Sequence, residues 1–117
     1  TSLDRVDGVP VLTAAGEIDA FSSPDFRSAI DRALAGGETN LVIDLSEVTF
    51  MDSSGFGTLL GGVKRVKPLG GSILLAGCGE PIQRMLRLTR LDAVFGVFGS
   101  LDEALSASVL PPDHPQG

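Results

Sequence analysis

The sequence predicts an α/β layered fold on a mainly parallel mixed sheet, and three observations lead there. Short apolar runs alternate with stretches whose apolar residues recur every three or four positions, the pattern of strands alternating with helices. The central run Leu41-Val42-Ile43 continues through Asp44 to Leu45 without polar alternation, as a strand covered on both faces does. Two β-favouring segments at the start are parted only by Asp7-Gly8, a hairpin signal that adds one antiparallel edge.

Each element follows from local signals. Residues 3–6 and 9–13 form the opening strands, and Gly16 closes the second. Ser23-Pro24 reads as an N-cap followed by proline at the first helical position. Phe26, Ala29, Ile30, Ala33 and Leu34 give that helix its apolar stripe, and Gly36-Gly37 stops it. Residues 41–45 form the third strand, followed by a short acidic loop through Val48 and Phe50. A second helix opens at Asp52-Ser53-Ser54-Gly55 with Phe56, Leu59, Leu60, Val63 and Val66 on one face. Gly57 and Gly61 lie four apart on it, a weakness in a helix interior whose expected return is close approach to a neighbouring element. Lys64, Arg65 and Lys67 complement its C-terminus, and Pro68 with Gly70-Gly71 ends it. A strand over residues 72–76 precedes a helix from Pro81, with Ile82, Met85 and Leu86 inward and Arg84, Arg87 and Arg90 outward. Residues 94–98 form the last strand. Ser100-Leu101-Asp102-Glu103 is a capping box for a final helix striped by Leu101, Ala104 and Leu105. The order is β-β-α-β-α-β-α-β-α with about four helices. Residues 1–110 read as a single domain and residues 111–117 as a disordered Pro-rich tail.

Composition narrows the function. The 117 residues suit one domain with a real core and are too few for two. Fifteen acidic residues against nine basic ones give a net charge of −6, which repels phosphate backbones and anionic lipid, so neither nucleic acid nor a membrane surface is an expected partner. No apolar run approaches the length of a membrane span, no signal peptide is visible, and the start at Thr1 suggests a trimmed or processed chain. One cysteine, Cys78, excludes an internal disulfide and fits a reducing, cytoplasmic setting. One histidine, His114 in the tail, removes most metal sites and any histidine-based catalytic triad in a packed cleft. The glycines near residue 57 match neither the dinucleotide fingerprint nor the phosphate loop, and Met51 replaces the first glycine of a nucleophile elbow. An enzyme with its own cofactor or metal is therefore not expected.

The informative stretch runs from Val42 to Gly57. It reads as a buried strand, an acidic loop, and a helix whose first turn carries Ser53 and Ser54. Unpaired N–H groups and about half a positive charge at a helix start favour an anion there, including a covalently added phosphate. Gly55 and Gly57 keep that turn free of bulk, so that another protein can reach the hydroxyl. Serine is also a favoured N-cap, and spacing alone leaves Ser53 or Ser54 as simple caps.

Asp52-Ser53-Ser54-Gly55-Phe56-Gly57, preceded by Val42 to Met51, resembles the signature of the STAS domain, and more narrowly that of bacterial anti-sigma factor antagonists. Gly16-Glu17-Ile18-Asp19 resembles that family's Gly-Glu-Leu-Asp segment, and Gly70 to Leu75 its strand after the phosphorylated helix. The resemblance spans residues 9–109. It implies a STAS-like fold and a substrate in place of an enzyme. An anti-sigma factor with serine kinase activity would phosphorylate Ser53, the serine after the motif's aspartate. The unphosphorylated form would bind that kinase and free the sigma factor, the phosphorylated form would let go, and a phosphoserine phosphatase would reset it. Asp19, Asp52, Ser54, Gly55, Phe56 and Thr58 are the expected partner-binding positions. Asp19 either orients the partner's nucleotide or the serine, or is a turn residue. Ser54 is a second hydroxyl or, preferentially, the cap. Thr58 faces outward one turn on. Asp44, which also resembles a family position, fits a structural role in the following loop, and Cys78 a quiet, half-buried thiol. The alternative is a non-enzymatic STAS scaffold subunit of a transporter or stress-signalling assembly.

Overall fold

The computed structural model describes residues 1–108, in the expected order of elements. Strands β1 (Ser2–Val6) and β2 (Val9–Ile18) form the hairpin; α1 (Ser23–Ala33), β3 (Asn40–Met51), α2 (Ser53–Val66), β4 (Ser72–Ala76), α3 (Glu80–Leu88), β5 (Gly96–Phe98) and α4 (Leu101–Ser108) follow. The strands lie side by side in chain order, with β1–β2 antiparallel and every other pair parallel. The hairpin turn is Asp7-Gly8, both with positive φ (53° and 80°), as a two-residue primed turn requires. The tail expected from residue 111, and the last two residues of the expected domain, lie outside the described residues.

Right-handed crossovers between strands whose order never reverses place successive helices on one face of a sheet. Here α1, α2 and α3 share a core with Leu12, Ile43, Leu45, Ile73 and Leu75. The other face of the sheet, with Val11, Val42 and Ala76, is covered by Ala104 and Leu105 of α4. Val42, Ile43 and Leu45 are fully buried, which explains the unalternating apolar run. Ser100 Oγ accepts from the Glu103 N–H (3.2 Å), while Glu103 reaches back to the Gly99 N–H (3.0 Å), a capping box displaced by one residue.

Several expectations are corrected. β2 does not end at Gly16; it passes through that residue at φ 80° and runs to Ile18. The expected loop through Val48 and Phe50 is strand, because β3 continues to Met51 and stays paired with β2. Irregularities between Thr13 and Ala15 and between Gly16 and Glu17 carry the pairing onward beyond the end of β4. Ser22 stands at the N-cap of α1, one residue before the expected Ser23. Strand β5 starts at Gly96, after a 3₁₀ turn over Leu91–Ala93, and Met85 of α3 is exposed instead of inward.

The glycines of α2 also divide differently. Gly57 and Gly61 face open space; Gly62 makes the close approach, where a Cβ would lie 2.8 Å from Ile73 Cδ1. Gly71 is pressed against the backbone of Thr39, whose carbonyl accepts from the Ser72 N–H. Gly61→Ala is expected to stabilise the protein by about 0.5–1 kcal/mol, since alanine lowers the entropy of the unfolded chain and meets nothing in the helix. Gly71→Ala is expected to destabilise it by about 3 kcal/mol, because a backbone atom has no easy way to yield. Chemical denaturation of both variants checks this; a loss at Gly61 or a gain at Gly71 contradicts the packing.

Candidate functional site

The extended β2–β3 pair fixes the site. Ile18 and Met51 are register partners, and the Asp52 N–H donates to the Ile18 carbonyl (3.1 Å). Asp19 and Asp52 therefore leave adjacent parallel strands side by side at their carboxyl ends, the edge where α/β sheets place their sites.

Asp52 caps α2. Its backbone is extended, and its Oδ1 accepts from the N–H groups of Ser54 (2.8 Å) and Gly55 (3.4 Å). Its carbonyl accepts from the N–H groups of Gly55 and Phe56, each at 3.1 Å. The expectation that a serine caps this helix, Ser54 in preference, is thus corrected: the carboxylate does it, as a charge-assisted cap at the positive end of the helix dipole. Both serine hydroxyls are released from capping. Ser53 is the first helical residue and is exposed, while Ser54 is half-buried.

The next residues work inward. A Cβ at Gly55 would collide with the Met51 side chain and lie 2.9 Å from Ile18 Cγ2. Gly55 thus seats the helix start on the strand ends; the open space expected outside the turn is supplied by Gly57 alone. Phe56 is buried in the main core. Thr58, expected to face outward, is 5% exposed, and its hydroxyl donates to the Ser54 carbonyl (2.9 Å).

Asp19 builds the opposite rim. Its Oδ1 accepts from the N–H groups of Phe21 (3.0 Å) and Ser22 (3.1 Å), an Asx turn. Ser22 Oγ accepts from the Asp19 N–H (2.9 Å) and donates to the Glu17 carbonyl (2.9 Å), locking the turn to β2. The Ser22 N–H first, and then those around it, hold the Asp19 carboxyl below its ordinary value, against a smaller opposing effect of desolvation. The sequence reading passed over Ser22 and Phe21. An Asp-x-x-Ser string after a strand is an Asx-turn signal that could have found Ser22, whereas nothing in the sequence marks Phe21, whose side chain is 93% exposed.

The remaining candidates lie apart from these. Asp44 Oδ1 accepts from the Ser46 N–H (3.0 Å) within β3, a structural bond. Cys78 is buried, and its thiol is pushed up to about 11, first by burial, with the charge of Asp44 adding to it. A thiol that resists ionisation is a poor nucleophile. Arg84, Arg87 and Arg90 are exposed, with Arg87 paired to Glu80 (3.0 Å). His114 lies outside the described residues. Among the described residues no group of three His, Cys, Asp or Glu side chains is placed to hold a metal, and no helix is long and apolar enough to cross a membrane.

A parallel sheet extended by an antiparallel hairpin, with a capped helix starting at its carboxyl edge, defines a STAS-type domain. The family model of the STAS domain matches residues 1–104, and the chain belongs to that family. It is 37% identical over 86 residues to the anti-sigma-B factor antagonist of Bacillus subtilis, covering 74% of this chain and 78% of that one. To the anti-sigma-F factor antagonist RsfB of Mycobacterium tuberculosis it is 34% identical over 102 residues, covering 86% and 81%. The crystal structure of an anti-sigma factor antagonist from Mycobacterium paratuberculosis superposes with a TM-score of 0.80 at 34% identity, over 91% of this chain and 90% of that one.

The Asx turn makes a pH prediction. A carboxyl whose folded value lies below its ordinary 3.8 contributes stability above pH 3.8, and that contribution is lost as pH falls through the lower folded value. Urea titrations of the wild-type and Asp19→Asn proteins should differ fully at pH 7 and converge in acid below pH 3.8. A gap that widens in acid contradicts the turn.

Proposed function

We propose that this protein is a cytoplasmic anti-sigma factor antagonist whose binding is switched by phosphorylation of Ser53. The observation that carries the reading is an exposed serine at the first position of α2, released from capping by Asp52. Two relatives named as anti-sigma factor antagonists, at 37% and 34% identity, support the same role. The partner is an anti-sigma factor with serine kinase activity, and a phosphoserine phosphatase reverses the modification. The chain itself is a substrate and a binding surface, not an enzyme.

The chemistry is simple. Ser53 Oγ attacks the γ-phosphorus of ATP held by the kinase, its proton passes to a base there, and ADP leaves. The product carries about −1.5 to −2 charges where a neutral hydroxyl stood. The N–H end of α2 partly offsets this charge, while Asp52 and Asp19 on either side oppose it. The hydrogen bonds that start the helix belong to the Asp52 carboxylate and backbone, so the scaffold does not depend on the Ser53 hydroxyl. The partner's surface does. Desolvating a dianion against a recess shaped for a neutral hydroxyl costs about 2–5 kcal/mol, enough to reverse binding. Asp19, Asp52 and Ser54 form the contacted rim in this scheme, and Gly55, Phe56 and Thr58 hold it from beneath.

Two outcomes test the proposal. Incubation with the cognate kinase and ATP should add one phosphate to the wild-type protein and none to Ser53→Ala, read by intact mass; equal labelling of both defeats the assignment. Ser53→Asp should weaken kinase binding at least tenfold with Tm shifted by no more than a few degrees, and unfolding by that substitution would instead make Ser53 a structural residue.

A further inference from the structure

The chain has six aromatic residues, all phenylalanine. Phe26, Phe56 and Phe95 are buried and Phe98 is half-buried. The two exposed ones, Phe21 (93%) and Phe50 (50%), both lie at the carboxyl ends of β2 and β3, where Ser53 begins α2. Phe21 is not on a loose loop. Its N–H is bonded to Asp19 Oδ1 (3.0 Å), and Asp19 follows Ile18, whose carbonyl accepts from the Asp52 N–H (3.1 Å). Phe21 is thus held in a turn that is anchored, through Ile18, to Asp52, the residue before Ser53.

Resting on the phosphoacceptor reading above, we propose that Phe21 is the apolar anchor by which the serine kinase partner recognises this protein, entering an apolar recess beside the kinase active site. A protein that brings its active site to Ser53 must cover the surroundings. A typical interface takes about 800 Å² from each partner, a patch about 30 Å across. The molecule measures 30 and 25 Å in its two shorter dimensions, so such a patch takes in the β2–α1 turn as well as the start of α2. Aromatic side chains are enriched at interfaces, and a phenylalanine on a bonded backbone has only two side-chain torsions to lose on burial. The acidic rim around it, Asp19 and Asp52, gives orientation and is the part that phosphate disturbs; the ring gives affinity that is indifferent to charge. Phe21 therefore acts on binding of the unmodified protein and not on the transfer step.

The test uses the full chain and the kinase that labels it at Ser53. Phe21→Ala should weaken binding of the kinase about 10- to 100-fold and raise KM for phosphorylation by a like factor, with kcat within twofold of wild type, the split expected when uniform binding is lost. Phe21→Leu should recover part of the affinity, and Tm should stay within two degrees, since the ring touches little of its own protein. Leu69→Ala is the control: that side chain is 67% exposed beyond the far end of α2, about 20 Å from Ser53 at 1.5 Å per residue, and its removal should change nothing. Unchanged Kd and KM in Phe21→Ala, with Ser53 still labelled, overturns the anchor and leaves the phosphoacceptor reading intact. An equal loss in Leu69→Ala also overturns it. Labelling of a residue other than Ser53 overturns both.

Discussion

The hydrogen bond from the Asp52 N–H to the Ile18 carbonyl closes the last rung of a parallel pair that outruns the rest of the sheet. β4 pairs with β3 only as far as Asp44, yet β2 and β3 continue together to Ile18 and Met51. Everything at the site is referred to that rung. It sets the residue at which β3 stops, hence which residue caps α2, hence which side chain stands first on the helix. It also places the Asp19 turn alongside. A slip of one residue in a strand turns each side chain to the other face. The two extra residues that β3 takes up against β2 therefore help to set the site although neither lies in it.

The order of residues after that rung separates two tasks within one short string. Asp52, Gly55, Phe56 and Thr58 are occupied: a cap, a seat on Met51 and Ile18, a core side chain, and a hydroxyl returned to its own helix. Ser53 takes no part in these. An Asp cap serves the helix dipole better than a hydroxyl would, because its charge opposes the positive end. The same carboxylate sets a like charge beside any anion added to its neighbour. One choice of residue therefore frees the serine and, under the proposed phosphorylation, would oppose the added charge.

Much of this was legible from residues alone, and the exceptions have physical causes. β4 was readable to the residue because both its faces are covered and glycine and proline bound it. The Asp7-Gly8 hairpin was readable because its turn needs positive φ. The second half of β3 was not, since its buried residues Leu45, Val48 and Met51 come every third position instead of every second, and irregular pairing erases the period that identifies a strand. The cap was misassigned for a related reason. Asp52, Ser53 and Ser54 are all good caps, and only the end of β3, a tertiary fact, selects among them. Thr58 lies off the Phe56–Leu59–Val63–Val66 stripe, yet a threonine can be buried when its hydroxyl is bonded to the carbonyl four residues back. The mainly parallel mixed sheet and the family were accessible, whereas exposure of a single aromatic such as Phe21 leaves no periodic trace.

The distribution of rigidity follows from the same constraint and bears on how such a surface can switch. Asp19 is held by the Phe21 and Ser22 N–H groups, Asp52 by its bonds to Ser54 and Gly55, and the two are joined through Ile18. Both carboxylates of the rim are thus committed to backbone N–H groups of their own turns. Under the proposed phosphorylation, a charge added to Ser53 would act through the field it presents to a visitor and not through a rearrangement behind it. Interaction with a partner is altered by as much as the unmodified and phosphorylated surfaces differ in their affinity for it, and by no more. Under the proposed switch, a rim already bonded in this way would leave that difference to the contacts with the partner, with little of it spent in reordering the domain.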